Sequence, residues 1–490
     1  MVNNSISNKT SFEIDSIEIN DLPLKWCSVS LSEIINMGRL DASCFDIESK
    51  NILNIINSCK YPPKTICGSN GLATAYRPGI CKRAFVEPSN DSIDMLTPSQ
   101  IVDVKPKAEK HLSSKMKDNI SNWFAREGEL LLTCSGTIGK SSIVTNTLKN
   151  RCISQNLIRI VVNEEVYLGY IYAYFNTTVG QTLLTRNNYG AVIQHIDPNH
   201  LENIIIPNAS KELKEKIHNL IMNSFKLRDE SNELIDEATQ LMINQLKLPL
   251  LNNFSVNSFD NYSNVDTFNV KLSNIDGRID ASYHVPIVNA IVKHLQQHAS
   301  EVITIGDIKV SKAVILPGRF KRIYVDEGYG ITFFSGKNIT ELNPSDKKYL
   351  SFSQHNKKIV EELMIKENMI LVTCSGTIGK IALVPKHWNN WAMTHDIIRL
   401  VPQDSMQGYV YIWLQSEYAA KILESKSYGS VVSHIEKIHL EEMPIPLLKD
   451  INIQEQINNL AIEANKKRFE AYELEQRALE IMNHEIIFAK

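Results

Sequence analysis

Two lysines that each close a glycine turn are the first residues in this sequence with the look of chemistry. Ser135-Gly136-Thr137-Ile138-Gly139-Lys140-Ser141-Ser142 invites comparison with a phosphate loop. Such a loop needs G-x-x-x-x-G-K-[ST], with backbone N–H groups and the lysine on phosphates and the hydroxyl on Mg²⁺. Counting back from Gly139-Lys140, the first glycine position holds Cys134. The loop recurs at Ser375–Lys380, where that position holds Cys374 and Ile381 follows the lysine. Both copies fail the pattern, and the spacing predicts a glycine turn between two strands instead. Four histidines, His195, His200, His434 and His439, stand in two matching pairs. No carboxylate or cysteine cluster accompanies them at ligand spacing, so they read as structural or hydrogen-bonding groups and no metal is expected. Asp41 and Asp280, each in a G-R-x-D-A-S motif, are expected to pair with Arg39 and Arg278 or to cap the helix that follows. The eight cysteines form no C-x-x-C pair, which points to reduced thiols in the cytoplasm. Neither an amino-methyltransferase signature (N/D-P-P-Y/F) nor a P-D…D/E-x-K nuclease pattern is present. Catalytic residues and bound cofactors are therefore not expected.

The glycine turns, the histidine pairs and the G-R-x-D-A-S motifs each occur twice, and that repetition organises the chain. Gly38–Ser43 returns as Gly277–Ser282. Pro78-Gly79 and Lys82-Arg83 return as Pro317-Gly318 and Lys321-Arg322. LTCSGTIGK, from Leu132, returns from Val372. SQNLIRIV from Ser154 matches THDIIRLV from Thr394, and YGAVIQHIDPNHLENIIIP from Tyr189 matches YGSVVSHIEKIHLEEMPIP from Tyr428. These collinear matches keep an almost constant offset. The chain is a tandem duplication.

Each copy requires the same elements to hold its motifs. Short β-rich runs (LLLTC, SSIVT, LIRIVV; then MILVTC, KIALVP, IIRLVP) precede one helical stretch each, LGYIYAYFNTTVGQTLL and GYVYIWLQSEYAAKIL. Each copy then ends in a long segment free of Pro and Gly, Ser210 to Lys247 and Asp450 to Phe488. Leu213, Ile217, Leu220, Leu234 and Leu241 in the first, with Ile457, Leu460, Leu474 and Ile481 in the second, form apolar stripes at helical spacing. The fold class is α+β: two similar globules, each followed by a long helix, the helices pairing as an antiparallel coiled coil. The expected boundaries are 1–209 (first globule), 210–250 (helical spacer), 251–270 (Asn/Ser-rich linker), 271–447 (second globule) and 448–490 (second spacer). The amino terminus has no signal-peptide character and no run is long and apolar enough for a membrane helix.

The segment from Tyr428 through Ile457 strongly resembles the end of a target recognition domain in the specificity subunits of type I restriction–modification enzymes. The residues that carry the resemblance are Gly429-Ser430, Ile445-Pro446 and the helix-opening Glu455-Gln456. The first copy keeps Gly190 and Ile206-Pro207 but has Glu215-Lys216 in place of the last pair. The duplicated order of globule and helix, from about Leu24 onward, resembles the same family. The resemblance implies a non-catalytic subunit that reads a bipartite target in double-stranded DNA. It also implies docking helices for DNA methyltransferase subunits, two of them, with restriction/translocase subunits joining the complex. S-adenosylmethionine would then sit in the methyltransferase partners. Two other readings stay open at this stage, a helical scaffold that touches no DNA and a guide subunit of another phage-defence system.

Charge tempers the DNA reading, because a net charge of −3 is unusual for a simple nucleic-acid binder. Cationic contact must come from local clusters. The candidates are Arg77, Lys82 and Arg83 in the first copy and Arg319, Lys321 and Arg322 in the second, joined by Lys140 and Lys380 of the glycine turns.

Overall fold

The computed structural model describes residues 28–37, 45, 47–89, 91–186, 195–254, 268–275, 277–344 and 347–489. The first G-R-x-D-A-S motif, Gly190 and most of the expected linker fall outside the described residues. Contacts divide the chain into two units, Met1–Lys226 with Glu473–Lys490, and Leu227–Tyr472.

Among the described residues unit 1 has ten strands: β1 (Pro63–Thr65), β2 (Ala73–Tyr76), β3 (Phe85–Val86), β4 (Ser92–Leu96), β5 (Lys110–Ser113), β6 (Leu130–Thr133), β7 (Ser141–Ile143), β8 (Cys152–Ile153), β9 (Leu157–Val162) and β10 (Ile205–Pro207). They form a central sheet β2-β9-β6-β7, a smaller sheet β3-β5-β4-β8, and the pair β1-β10. The central strands are continuous apolar runs because both faces are covered. Leu130, Leu132, Ile158 and Ile160 face the main core, while Leu131 and Leu157 face a second cluster with Leu96, Ile101 and Ile153.

Unit 2 repeats the topology strand for strand: β11 (Glu301–Thr304), β12 (Ser311–Ile315), β13 (Tyr324–Val325), β14 (Gly330–Phe334), β15 (Lys348–Ser351), β16 (Ile370–Thr373), β17 (Ile381–Leu383), β18 (Ala392–Met393), β19 (Ile397–Pro402) and β20 (Pro444–Leu447). Its sheets are β12-β19-β16-β17, β13-β15-β14-β18 and β11-β20. Ile370, Val372, Ile398 and Leu400 point into its main core, and Leu371 and Ile397 into the other face. The duplication read from sequence is a duplication of fold.

The helical stretch expected after each set of strands is two helices in both units, Val166–Phe175 then Thr178–Arg186, and Gln407–Gln415 then Glu417–Ser425. A hydroxyl makes the break. Thr177 Oγ1 accepts from the Gly180 N–H at 3.0 Å and Ser416 Oγ from the Ala419 N–H at 3.2 Å, so each caps a new helix.

The long helices run Lys211–Leu246 and Ile451–Ile481. In unit 1, Ile217, Ile221 and Phe225 join one core with Ala478, Ile481 and Met482. In unit 2, Ile235, Ala238, Met242 and Leu246 join another with Ile457, Ala461 and Ala464. The buried stripe thus runs one position beyond most of the leucines read from sequence. Ile217, Ile457 and Ile481 are buried inside the units, whereas Leu213, Leu220, Leu234, Leu241 and Leu460 are half-buried at the margins of the same cores, and Leu474 is half-buried as well. A glycine brings the long helix close in each unit. A Cβ on Gly169 would meet His218 Cα at 2.7 Å, and one on Gly408 would meet the Asn458 carbonyl oxygen at 2.1 Å. In return the Gly169 N–H donates to His218 Nδ1 at 3.4 Å and the Gly408 N–H to Asn458 Oδ1 at 2.8 Å.

Candidate nucleic-acid interface

Four duplicated motifs lie far apart in sequence and meet in one place. In unit 2 the end of β12 leads into Leu316-Pro317-Gly318-Arg319, and the end of β16 into Cys374-Ser375 of the glycine turn. His395-Asp396 immediately precede β19. Together with residues from the Tyr428–Glu441 segment they line one open groove. Backbone bonds weld it: Ile435 N–H to Cys374 O at 3.0 Å, Cys374 N–H to Asp396 O at 3.2 Å and Gly376 N–H to Ser433 O at 3.1 Å. Tyr428 and His434 exchange two further bonds across a turn that needs Gly429, at φ +107°. That turn leaves Val431 almost fully exposed.

The glycine turns themselves are structural, as the spacing predicted. Gly136 and Gly139, then Gly376 and Gly379, all have positive φ. Thr133 Oγ1 donates to the Thr137 carbonyl at 2.6 Å and accepts from the Lys140 N–H at 3.0 Å; Thr373, Thr377 and Lys380 repeat both bonds. Cys134 and Cys374 are buried, which raises both thiols, Cys374 to about 12. Neither is poised as a thiolate nucleophile.

The paired histidines also have structural partners. His200 Nδ1 accepts from the Asp197 N–H at 2.9 Å and His439 Nδ1 from the Glu436 N–H at 3.0 Å, closing equivalent capping boxes. His195 and His434 bridge to Ser135 and Ser375. Asp280 forms a bidentate pair with Arg278, whose hydrogen bonds hold the carboxyl down at about 2. Arg278 also donates to the Lys426 and Ser427 carbonyls. Among the described residues no group of three or more His, Cys, Asp or Glu is arranged to hold a metal ion.

The cationic candidates separate into four kinds. Arg77 is committed to Asp197 at 2.9 Å, where it braces the capped turn. Lys82, Lys321 and Arg319 are exposed, the last on the groove of unit 2. Arg83 lies over the Phe85 ring at 5.8 Å, and Arg322 donates to Thr394 Oγ1 at 2.9 Å with Asp396 3.9 Å away. Lys140 and Lys380 are half-buried after their turns.

Two groups escaped the sequence reading. His395-Asp396 line the groove of unit 2 and Gln155-Asn156 hold the equivalent place in unit 1, and their position just before the matched β9 and β19 was the available signal. In unit 1 the Cys81 N–H donates to Gln155 Oε1 at 3.3 Å. In unit 2 the Arg322 guanidinium lies 3.3 Å from His395 Nδ1, and burial lowers that imidazole's proton affinity. The second group is a fully buried arginine in each central sheet, Arg159 and Arg399. A charged residue inside an apolar strand run is its signal.

Residues 319–460 match the type I restriction modification DNA specificity domain. No curated protein matches the chain significantly. Among solved structures, the S subunit of a type I restriction–modification system from M. genitalium aligns at 13% identity, covering 87% of this chain and 95% of that one, with TM-score 0.34. The HsdS subunit from Thermoanaerobacter tengcongensis aligns at 14% identity over 85% and 98%, with TM-score 0.24. A structure described as the basis of complex assembly and conformational transition of the type I R-M system aligns at 13% over 84% and 97%, with TM-score 0.26. The chain thus carries a match to that DNA specificity domain in its second half, and its first half repeats the same motifs and strand order.

Proposed function

We propose that each unit reads one part of a two-part DNA target through the face where its duplicated motifs meet. The observation that carries this is the pattern of sameness and change. The scaffold repeats strand for strand, while the residues at the groove of unit 2 and their equivalents in unit 1 differ in chemistry: His395-Asp396 against Gln155-Asn156, and Leu316 against Arg77. Two readers with a common frame and different lining suit two different half-sites. Lys82, Arg83, Arg319, Lys321 and Arg322 would hold phosphates, which position the protein without choosing bases. Lys140 and Lys380 would add to them, whereas Arg77 acts mainly by bracing the turn.

The long helices would seat two DNA methyltransferase subunits, with restriction/translocase subunits joining the complex. The half-buried Leu213, Leu220, Leu234, Leu241, Leu460 and Leu474, most of them only partly covered by the units' own cores, would supply the apolar surface for that contact. The chain itself would contribute no catalytic group and bind no cofactor. The helices would also set the gap in the target. Seven residues inserted near Asn232 should then lengthen the gap by roughly three base pairs, about 10 Å of helix.

Domain exchange tests the reading. Replacing residues 271–447 with the recognition domain of another specificity subunit should change one half of the methylated sequence and leave the other half as it was. A simultaneous change in both halves would overturn the two-reader assignment. Methyl transfer, ATPase or nuclease activity by the pure chain would overturn its non-catalytic role.

A further inference from the structure

The smaller sheet of each unit ends in an edge strand of two residues, and both edges carry an exposed aromatic ring beside lysines. In unit 1, Phe85 on β3 is 51% exposed and pairs with Leu112 of β5. Its ring lies between Arg83, at 5.8 Å, and Lys110, at 5.5 Å. In unit 2, Tyr324 on β13 is 41% exposed and pairs with Leu350 of β15. Its ring lies 4.9 Å from Lys348, the strand-register equivalent of Lys110. Lys82 and Lys321 are exposed just upstream of the two rings. Apolar neighbours are exposed as well, Ile80 and Val86 in one unit and Ile323 and Tyr329 in the other.

Short edges with lysine are one way to stop sheets from pairing edge to edge. That purpose asks for charge and is poorly served by a large exposed ring with exposed aliphatic neighbours. A ring set among cations is what nucleic acid favours, because phosphates take the cations while the ring packs against bases, sugars or a thymine methyl. The arrangement also recurs at the same strand position in both units, although the surrounding sequence has diverged.

We infer that Phe85 and Tyr324 are base-contacting, specificity-determining residues of the two half-sites, each flanked by phosphate-binding cations. The inference rests on the two-reader proposal. It adds a chemical difference between the halves, since Phe85 offers only an apolar face and Tyr324 adds a hydroxyl that can donate to or accept from a base edge.

The test uses the full chain assembled with its methyltransferase subunits and a pool of duplex DNA with randomised sequence. Phe85→Ala and Phe85→Leu should each lower discrimination at one or two positions of a single half-site by about ten-fold, leaving the salt dependence unchanged. Tyr324→Ala should do so in the other half, and Tyr324→Phe should lose only the part due to the hydroxyl. Both rings are half-exposed, so thermal melts of the variants should match the parent. Unaltered selection by Phe85→Ala, or an equal loss in both halves, would overturn the assignment. A variant that still selects its target but no longer holds the methyltransferase would overturn it too, by giving the edge to a protein partner. If the parent complex selected no sequence at all, the two-reader proposal itself would fail first.

Discussion

Unit 1 and unit 2 bury the same arginine by different means. Arg159 on β9 is fully buried and bonds Glu129 Oε2 at 2.7 Å, and its guanidinium also donates to the Trp123 and Phe124 carbonyls. Glu129 also accepts from Tyr76 Oη at 2.7 Å and from the Arg126 N–H at 3.1 Å. Arg399, its equivalent on β19, has Met369 in place of that glutamate. It relies instead on the carbonyls of Ile397, Leu363, Met393 and Thr394, between 2.6 and 3.3 Å. Without a contacting carboxylate, burial pushes the Arg399 guanidinium down to about 9, still charged at neutrality. A buried cation is therefore common to both copies while its counter-charge is not. The lesson is that the frame fixes the arginine and its carbonyl shell, and the carboxylate is an addition that one copy has and the other does without.

The sharpest way to break this comparison is to remove the carboxylate where it exists. Glu129→Ala leaves the Arg159 charge buried with carbonyls alone and strips Tyr76 and Arg126 of an acceptor. Leaving one partner of a buried pair behind costs about 3–5 kcal/mol. Native-state hydrogen exchange should show that loss in β6 and β9, with β16 and β19 of unit 2 unaffected. A cost under 1 kcal/mol would mean that the carbonyl shell suffices in both units.

Acid should then separate the units by a second route. His387 donates from Nε2 to the Leu342 carbonyl at 2.8 Å and stacks on Tyr472 with ring centroids 3.9 Å apart. Burial lowers its pKa to about 4, with Lys347 pushing the same way. The unfolded chain binds this proton near the ordinary value of about 6.5, and the folded chain only near 4. Stability is thus fully present above about 6.5 and declines as pH falls toward 4, by about 3 kcal/mol in all. Thr147 holds the equivalent place in unit 1. Urea denaturation of the parent and of His387→Phe, from pH 7 to 4, should give a slope that the variant lacks. Equal slopes would remove His387 as the cause.

Much of this architecture was legible because its signals are local or repeated. The constant offset exposed the duplication, uninterrupted helix formers marked the long helices, and Gly136, Gly139, Gly376 and Gly379 marked the turns. What depends on tertiary contact was not legible. The heptad spacing suggested Leu220, Leu234 and Leu241, but packing against the units chose Ile221, Ile235 and Met242. The small sheets left no periodic trace, since Phe85–Val86 and Tyr324–Val325 are too short to alternate. The groove could not be foreseen because its residues come from four separated segments, although each segment had been recognised by itself.

The glycines under the long helices offer a smaller, graded test. A methyl on Gly408 would press a backbone oxygen at 2.1 Å, whereas one on Gly169 would press the His218 backbone at 2.7 Å. Overpacking of this kind costs about 1–3 kcal/mol. Gly408→Ala should therefore sit at the upper end and Gly169→Ala lower, measured by the midpoints of urea unfolding. The reverse order would show that the helix in unit 2 yields more readily than the one in unit 1.

The smallest expected effect concerns the paired cations, and it asks whether equivalent residues still do equivalent work. Lys82 is exposed and Arg83 touches only an aromatic face among the contacts described above, so both remain available to phosphates. Lys321 is exposed in the same way, but Arg322 donates to Thr394 and has Asp396 3.9 Å away. Part of its charge is already answered within the unit. Each phosphate neutralised contributes about 0.9 to the slope of log affinity against log salt. Lys82→Ala with Arg83→Ala should lower that slope by up to about two, weakening specific and non-specific DNA alike. Lys321→Ala with Arg322→Ala should lower it by only about one. The second pair should also alter base preference in its half-site, because Asp396 and His395 lose the guanidinium that holds them. Equal slope changes for the two pairs would show that the internal partners of Arg322 give way to DNA. An unchanged slope for the first pair would remove Lys82 and Arg83 from the phosphate contacts.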